Sequence, residues 1–314
     1  MKRLLVIPLF LLPFTSHALE PWFTGPAIAI SGKTVAKGKI AVQPYATYRD
    51  AYGAFNNQGK KVNTIDTHAS GYEQLVFYGL TDWMDIQGLF AVSQQYQLNK
   101  MSSELGDTRV LTGIQLLKGE LHSWKPFIKL LFAQFIPTGK YQNLSPLHLG
   151  LDANGAGAYS RWIGFVVHKY IQFKNEHYLS TRVQVNYRTA ETTAVSGFNS
   201  YGGGYQTQGK VKVGYGFQAD WAIEYQLTQK WVGVLEFNYR YNDQSRFYGF
   251  PGFDAFGKVA NIGSNNQYTF SFLPGIEYNF GPNVGILFSL WMSVKGKNAA
   301  NYMTGVTTVY ATLG

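Results

Sequence analysis

The stretch VKVGYGFQADWAIEY, residues 211–225, decides the fold class. Val211, Val213, Tyr215, Phe217, Ala219, Trp221, Ile223 and Tyr225 are all apolar or aromatic. Between them lie Lys212, Gly214, Gly216, Gln218, Asp220, Ala222 and Glu224, which are polar or small. A period of two is that of a strand whose successive side chains point to opposite faces.

The same alternation extends outward from this stretch. In residues 268–280, Tyr268, Phe270, Phe272, Pro274, Ile276, Tyr278 and Phe280 share one face, and Thr269, Ser271, Leu273, Gly275, Glu277 and Asn279 the other. In residues 179–189 the polar face is Ser180, Arg182, Gln184, Asn186 and Arg188. Twelve strands are expected, at 38–49, 68–80, 84–96, 105–117, 124–136, 156–170, 177–189, 210–226, 231–242, 267–279, 283–295 and 302–313. Most are longer than the roughly 5–6 residues of a typical soluble strand. They suit a tilted membrane strand, which needs about 9–11. Short connections (81–83, 118–123, 171–176, 227–230, 280–282) alternate with long ones (50–67, 97–104, 137–155, 190–209, 243–266, 296–301). Short turns on one side and long loops on the other are the rhythm of outer-membrane barrels. The expected fold class is therefore all-β, an antiparallel transmembrane β-barrel of about 12 strands.

Composition agrees. Of 314 residues, 46% are hydrophobic, 16% aromatic and only 14% charged. A soluble domain carries roughly 25% charge. Past the N-terminus no apolar run is long enough for a membrane helix, which takes about 20 residues. Cysteine is absent, which excludes disulfide scaffolds, thiolate metal sites and cysteine nucleophiles.

The N-terminus has the pattern of a secretory signal. Met1, Lys2 and Arg3 precede the apolar residues 4–14, and Ser16-His17-Ala18 follows. The apolar stretch is too short for a membrane anchor. Cleavage is expected after Ala18, leaving 19–37 as a periplasmic segment and 38–314 as the barrel.

No catalytic motif stands out. The histidines His17, His68, His122, His148, His168 and His177 form no HExxH, and there is no G-x-S-x-G elbow. The glycines at 202–204 read as loop, since no helix follows to make a phosphate site. A barrel phospholipase would need a serine and a histidine together on the outer face, so an enzyme ranks third among the readings. Neither a cofactor nor a metal is expected. Basic residues are scattered, with no cluster beyond Gly59-Lys60-Lys61, so nucleic acid is not an expected partner. The expected partners are outer-membrane lipid, the barrel-assembly machinery and a small-molecule solute of unspecified identity.

The polar faces nominate lumen-lining residues. These are Arg109, Lys129, Arg182, Arg188, Lys212, Asp220, Glu224, Glu236, Arg240 and Glu277. They would either pair and fix the register or line a constriction that selects solutes. Phe127, Trp162, Leu287 and Trp291 fall on the same side and could plug the path. Trp221 and Phe270 are expected to face lipid, with Phe217 near the lipid midplane.

Certain short motifs carry a resemblance over most of the mature chain. They are Trp22-Phe23-Thr24-Gly25-Pro26, Gln43-Pro44-Tyr45, Gly106-Asp107, Phe135-Ile136-Pro137-Thr138-Gly139-Lys140 and Leu273-Pro274-Gly275-Ile276-Glu277-Tyr278. With these the chain resembles the outer-membrane family named for the meta-cleavage pathway of phenol degradation. The resemblance implies a β-barrel that moves small organic molecules, without naming a solute. The chain departs from many barrels at its end, Tyr310-Ala311-Thr312-Leu313-Gly314, where a terminal aromatic is commonly read during assembly. The expected function is passive passage or uptake of small solutes, hydrophobic or aromatic compounds among them. The alternative is a closed structural or surface-interaction barrel.

Overall fold

The computed structural model describes residues 21–174 and 177–313. The expected signal peptide, 1–18, lies outside the described residues. Twelve antiparallel strands form the wall: β1 (Ile40–Phe55), β2 (Thr67–Thr81), β3 (Met84–Gln97), β4 (Thr108–Leu117), β5 (Phe127–Ile136), β6 (Ser160–Gln172), β7 (Tyr178–Ala190), β8 (Gly216–Gln226), β9 (Trp231–Asn242), β10 (Gln267–Gly281), β11 (Val284–Lys297) and β12 (Ala299–Leu313). Each strand pairs with the next. The sheet closes by pairing β12 with β1, from Ile40 opposite Leu313 to Phe55 opposite Ala299. Closure leaves no unpaired edge, a requirement for any sheet crossing hydrocarbon.

The wall is inverted relative to a soluble protein. On β7 the outward Val183, Val185 and Tyr187 are 48%, 39% and 45% exposed, while the inward Arg182, Gln184 and Asn186 are 4%, 1% and 2% exposed. Apolar residues on the outer surface and polar residues within suit a lipid solvent. Aromatic rings cluster at both ends of the wall. Tyr187, Tyr215 and Tyr241 stack near the loop end. Trp231, Tyr278 and Phe280 pack edge to face near the turn end. Such girdles mark the two interfaces of a membrane barrel.

Two expectations about the chain path need correction. The strand expected at 210–226 is broken. Gln208–Lys212 instead joins Thr192–Ser196 and Arg246–Phe250 in a three-stranded sheet built from the long loops. The chain re-enters the wall at Gly216. Gly214 permits the break, because a Cβ there would lie 2.3 Å from the Asp243 carbonyl oxygen. Further along, the connection 296–301 expected to be long is a tight turn at Asn298, which adopts φ 48°.

The segment set apart as periplasmic, 19–37, is described from residue 21. It runs inside the barrel wall. Ile30 packs against Leu111, Leu131, Ala133 and Val166, and Phe23 and Ala27 pack against Val232, Val234 and Leu287. The interior apolar contacts thus lie between this segment and the wall. Lys37 bridges to Gly79 as the segment leaves the lumen, and a Cβ on Gly79 would lie 2.0 Å from the Ala36 carbonyl oxygen.

Candidate functional site

The lumen has two regions of different chemistry. Toward the turns, wall carboxylates and amides face the backbone of the inserted segment. Glu277 accepts hydrogen bonds from the N–H groups of Thr24 (2.9 Å) and Gly25 (3.2 Å). Glu236 accepts from Ala27, Ile28 and Ala29. Gln184 accepts from Ile30 at 2.7 Å, Gln115 from Thr34 at 3.0 Å, and Asp85 from Val35 at 3.1 Å. An irregular segment has no ladder partners, so its buried amides must find acceptors elsewhere. Ionised acceptors make the stronger bonds.

Two cations neutralise part of this floor. Lys129 Nζ sits 2.7 Å from Asp85 Oδ2, with both side chains 1% exposed. Arg182 donates to Glu224 at 2.6 Å and to the Ala29 carbonyl at 3.3 Å. Asp220 is held by the amides of Asn238 and Gln218.

Toward the loops the balance reverses. Arg49 lies over Tyr302 with its guanidinium carbon 3.9 Å from the ring centre, and Arg240 lies over Trp291 at 4.8 Å. Arg109 lies 5.3 Å from Trp162 and 5.9 Å from Phe135. Arg188 donates to the Asn242 amide oxygen at 2.8 Å. Among the described residues, none of these four arginines forms an ion pair.

A cavity of about 980 Å³ runs through both regions. Asp107 and Asn154 line its loop end, and Pro282, Tyr310 and Thr312 line it near the turns. The inserted segment bonds to β3, β4, β5, β7, β9 and β10 and, where it leaves the lumen, to Gly79 of β2. On β1, β2 and β12 the cavity is lined by small residues such as Thr47, Ala69, Gly71 and Thr304 and by larger ones such as Tyr45, Phe77 and Tyr302.

The residues nominated from sequence therefore fall into three groups. Lys129, Arg182, Asp220, Glu224, Glu236 and Glu277 are buried in the interior. Arg109, Arg188 and Arg240 line the cavity on the loop side. Lys212 lies elsewhere: it is exposed on the loop sheet, opposite Thr192 and Arg246. The alternation misplaced it because the loop strand keeps the parity of β8 across the break. Trp162 and Trp291 line the cavity, while Phe127 packs against His168 and Tyr170, and Leu287 is buried with Phe23. None of the four closes the barrel; the inserted segment, not these side chains, takes up part of the lumen. Phe217 points outward but sits at the loop end of β8 beside Tyr239, not at mid-wall.

Sequence reasoning missed Asp85, Arg49, Gln115 and Glu73, and placed Gln184 on the polar face of its strand without nominating it. All lie on inward faces, so the alternation of β1, β2, β3 and β4 was the signal that could have found the other four.

A buried chain of His168, Ser180 and Glu224 resembles a hydrolase triad in composition only. Ser180 donates to Glu224 at 2.7 Å, which leaves the His168 Nε2–H to donate to Ser180 at 2.9 Å. A nucleophilic serine needs the histidine as its proton acceptor, with the carboxylate beyond the histidine. Here the carboxylate holds the serine proton, and both Ser180 and His168 are fully buried. The chain fixes Glu224 and is not set up for attack. In the loops, Asp152 accepts from Lys140 (2.8 Å) and from the Ser145 N–H (2.9 Å). The hydrogen bond to Asp152 raises the Lys140 ammonium above its ordinary pKa.

No protein-family model matches the chain, and no curated protein matches it in sequence. Solved structures do match it in shape. An outer membrane channel from Pseudomonas putida F1 superposes with a TM-score of 0.70 at 11% identity, over 92% of this chain and 100% of that one. It has the fold of an outer-membrane β-barrel. Weaker likenesses include the NanC porin, with a TM-score of 0.43 at 9% identity over 86% of this chain and 98% of that one. The CymD monoaromatic hydrocarbon channel gives 0.36 at 14% identity over 88% of each chain. Only the first score is high enough to bear on the fold.

Proposed function

We propose that this chain is a bacterial outer-membrane channel through which small solutes pass passively, hydrophobic and aromatic compounds among them. The observation that carries the reading is the cavity of about 980 Å³, whose lining residues lie at both ends of a closed barrel. The inserted segment fills only part of the lumen, and the cavity continues between it and the wall. The resemblance to the phenol meta-pathway family agrees with a small organic solute, and the signal-peptide pattern ending at Ala18 agrees with export to the outer membrane. Lipid and the barrel-assembly machinery are the partners such a location requires.

A closed structural barrel is the second reading. The packing of Ile30 and Phe23 into apolar clusters favours it, because these contacts fasten the segment to the wall. Swelling of liposomes containing the purified protein separates the two. A channel admits a small neutral sugar such as arabinose at a rate that falls with solute size, whereas a closed barrel gives the swelling rate of protein-free vesicles.

A further inference from the structure

The loop-side half of the cavity carries more positive charge than its carboxylates can balance. Seven cationic side chains and three carboxylates line the cavity as a whole. Asp85 is paired with Lys129. Asp107 accepts the N–H groups of Gly139 (3.0 Å) and Ala156 (2.9 Å). That leaves Glu73 as the one lining carboxylate, among the described residues, free to offset Arg49, Arg109, Arg188 and Arg240. Coulombic repulsion couples Arg240 to both Arg49 and Arg188, so three of the guanidinium groups share one field.

The way these groups are held matters more than their number. Arg49, Arg109 and Arg240 present their guanidinium groups to aromatic rings at 3.9–5.9 Å. Such contacts orient the cation without consuming its edge N–H donors. No hydrogen bond from Arg109 to protein is found among the described residues, and the Nε atoms of Arg109 and Arg188 are buried without partners. A buried donor left unsatisfied is costly. These donors are instead available to an anion. A carboxylate matches the guanidinium fork in a way a neutral solute cannot. The indole rings of Trp162 and Trp291 stand beside the donors and offer apolar surface for a ring.

We infer that the arginines Arg109, Arg188 and Arg240, with Trp162 and Trp291, form a binding site for small aromatic carboxylates within the channel. The inference rests on the channel reading for its biological use but not for its test, because binding can be measured whether or not the barrel conducts. Excess fixed positive charge in a low-dielectric channel raises the local anion concentration. Solutes with an anionic head and an aromatic body are therefore selected over neutral ones of the same size.

Isothermal titration of the full detergent-solubilised protein with benzoate, benzyl alcohol and acetate tests the site. Benzoate should bind at least tenfold more tightly than either comparator. Arg109→Gln and Arg240→Gln should each weaken benzoate at least fivefold and leave benzyl alcohol unchanged. Arg161→Gln, on the outer face of β6, should change nothing, which controls for net charge. Equal affinity for benzoate and benzyl alcohol, or benzoate binding unaffected in both cavity variants, would overturn the site. A protein that binds benzoate but fails to swell liposomes would overturn the channel reading alone. Retention of the heat-modifiable folded band on gels shows that each variant is intact.

Discussion

Glu236 grips the backbone of Ile28: the amide N–H of Ile28 lies 3.0 Å from one carboxylate oxygen and 3.3 Å from the other. The flanking amides of Ala27 and Ala29 donate to the same carboxylate. One wall residue thus orders three consecutive residues of the inserted segment, more than 200 positions away in sequence.

Replacing that carboxylate should loosen the segment without opening the wall, whose ladder bonds do not involve side chains. A hydrogen bond to a charged group contributes about 1.5–3 kcal/mol. Because the chain has no cysteine, an Ile28→Cys reporter is unambiguous. Labelling by a membrane-impermeant maleimide should be at least tenfold faster in Glu236→Ala than with Glu236 intact, and intermediate in Glu236→Gln. Equal rates would show that Glu236 does not hold the segment.

Depth along the wall should set the cost of a charge on the lipid face. Val185 lies near the middle of β7 and is 39% exposed, whereas Phe217 is 38% exposed but lies one residue from the start of β8. Val185→Arg should destabilise the barrel by about 2–4 kcal/mol and Phe217→Arg by about 0–1 kcal/mol. Urea titration in lipid vesicles reads the difference, and equal costs would contradict this placement in the membrane.

The Lys129–Asp85 pair is buried at both ends. Lys129→Met strands a carboxylate in the interior and should cost about 3–5 kcal/mol. Adding Asp85→Asn removes the stranded charge while keeping an acceptor for the Val35 amide. The double variant should therefore recover part of the loss. A double variant no better than Lys129→Met would mean the pair is not the source of the cost.

The wall was legible from sequence because alternation is a local signal. On β7 and β10 the polar face Ser180 to Arg188 and the pair Glu277 and Asn279 read directly as interior. The same signal misled at Lys212, where Gly214 and Gly216 turn the chain out of the wall while Val211 and Phe217 keep the same parity. Residues 21–37 carry no period of two. Their acceptors, Glu236, Glu277 and Gln184, are distant in sequence, so nothing local marks the segment as interior. The charge separation between floor and mouth was hidden for a related reason. The nominated residues, six cations and four anions, gave no sign of it until register placed Arg109, Arg188 and Arg240 toward the loops and Glu224, Glu236 and Glu277 toward the turns.

Single-channel recording in a planar bilayer tests the central claim, that a passage runs beside a segment held by wall carboxylates. The native protein should show discrete small conductance steps, and the Glu236→Ala, Glu277→Ala double variant should show steps at least twofold larger. Folded protein that gives no steps in either form would contradict the account and leave a closed barrel in its place.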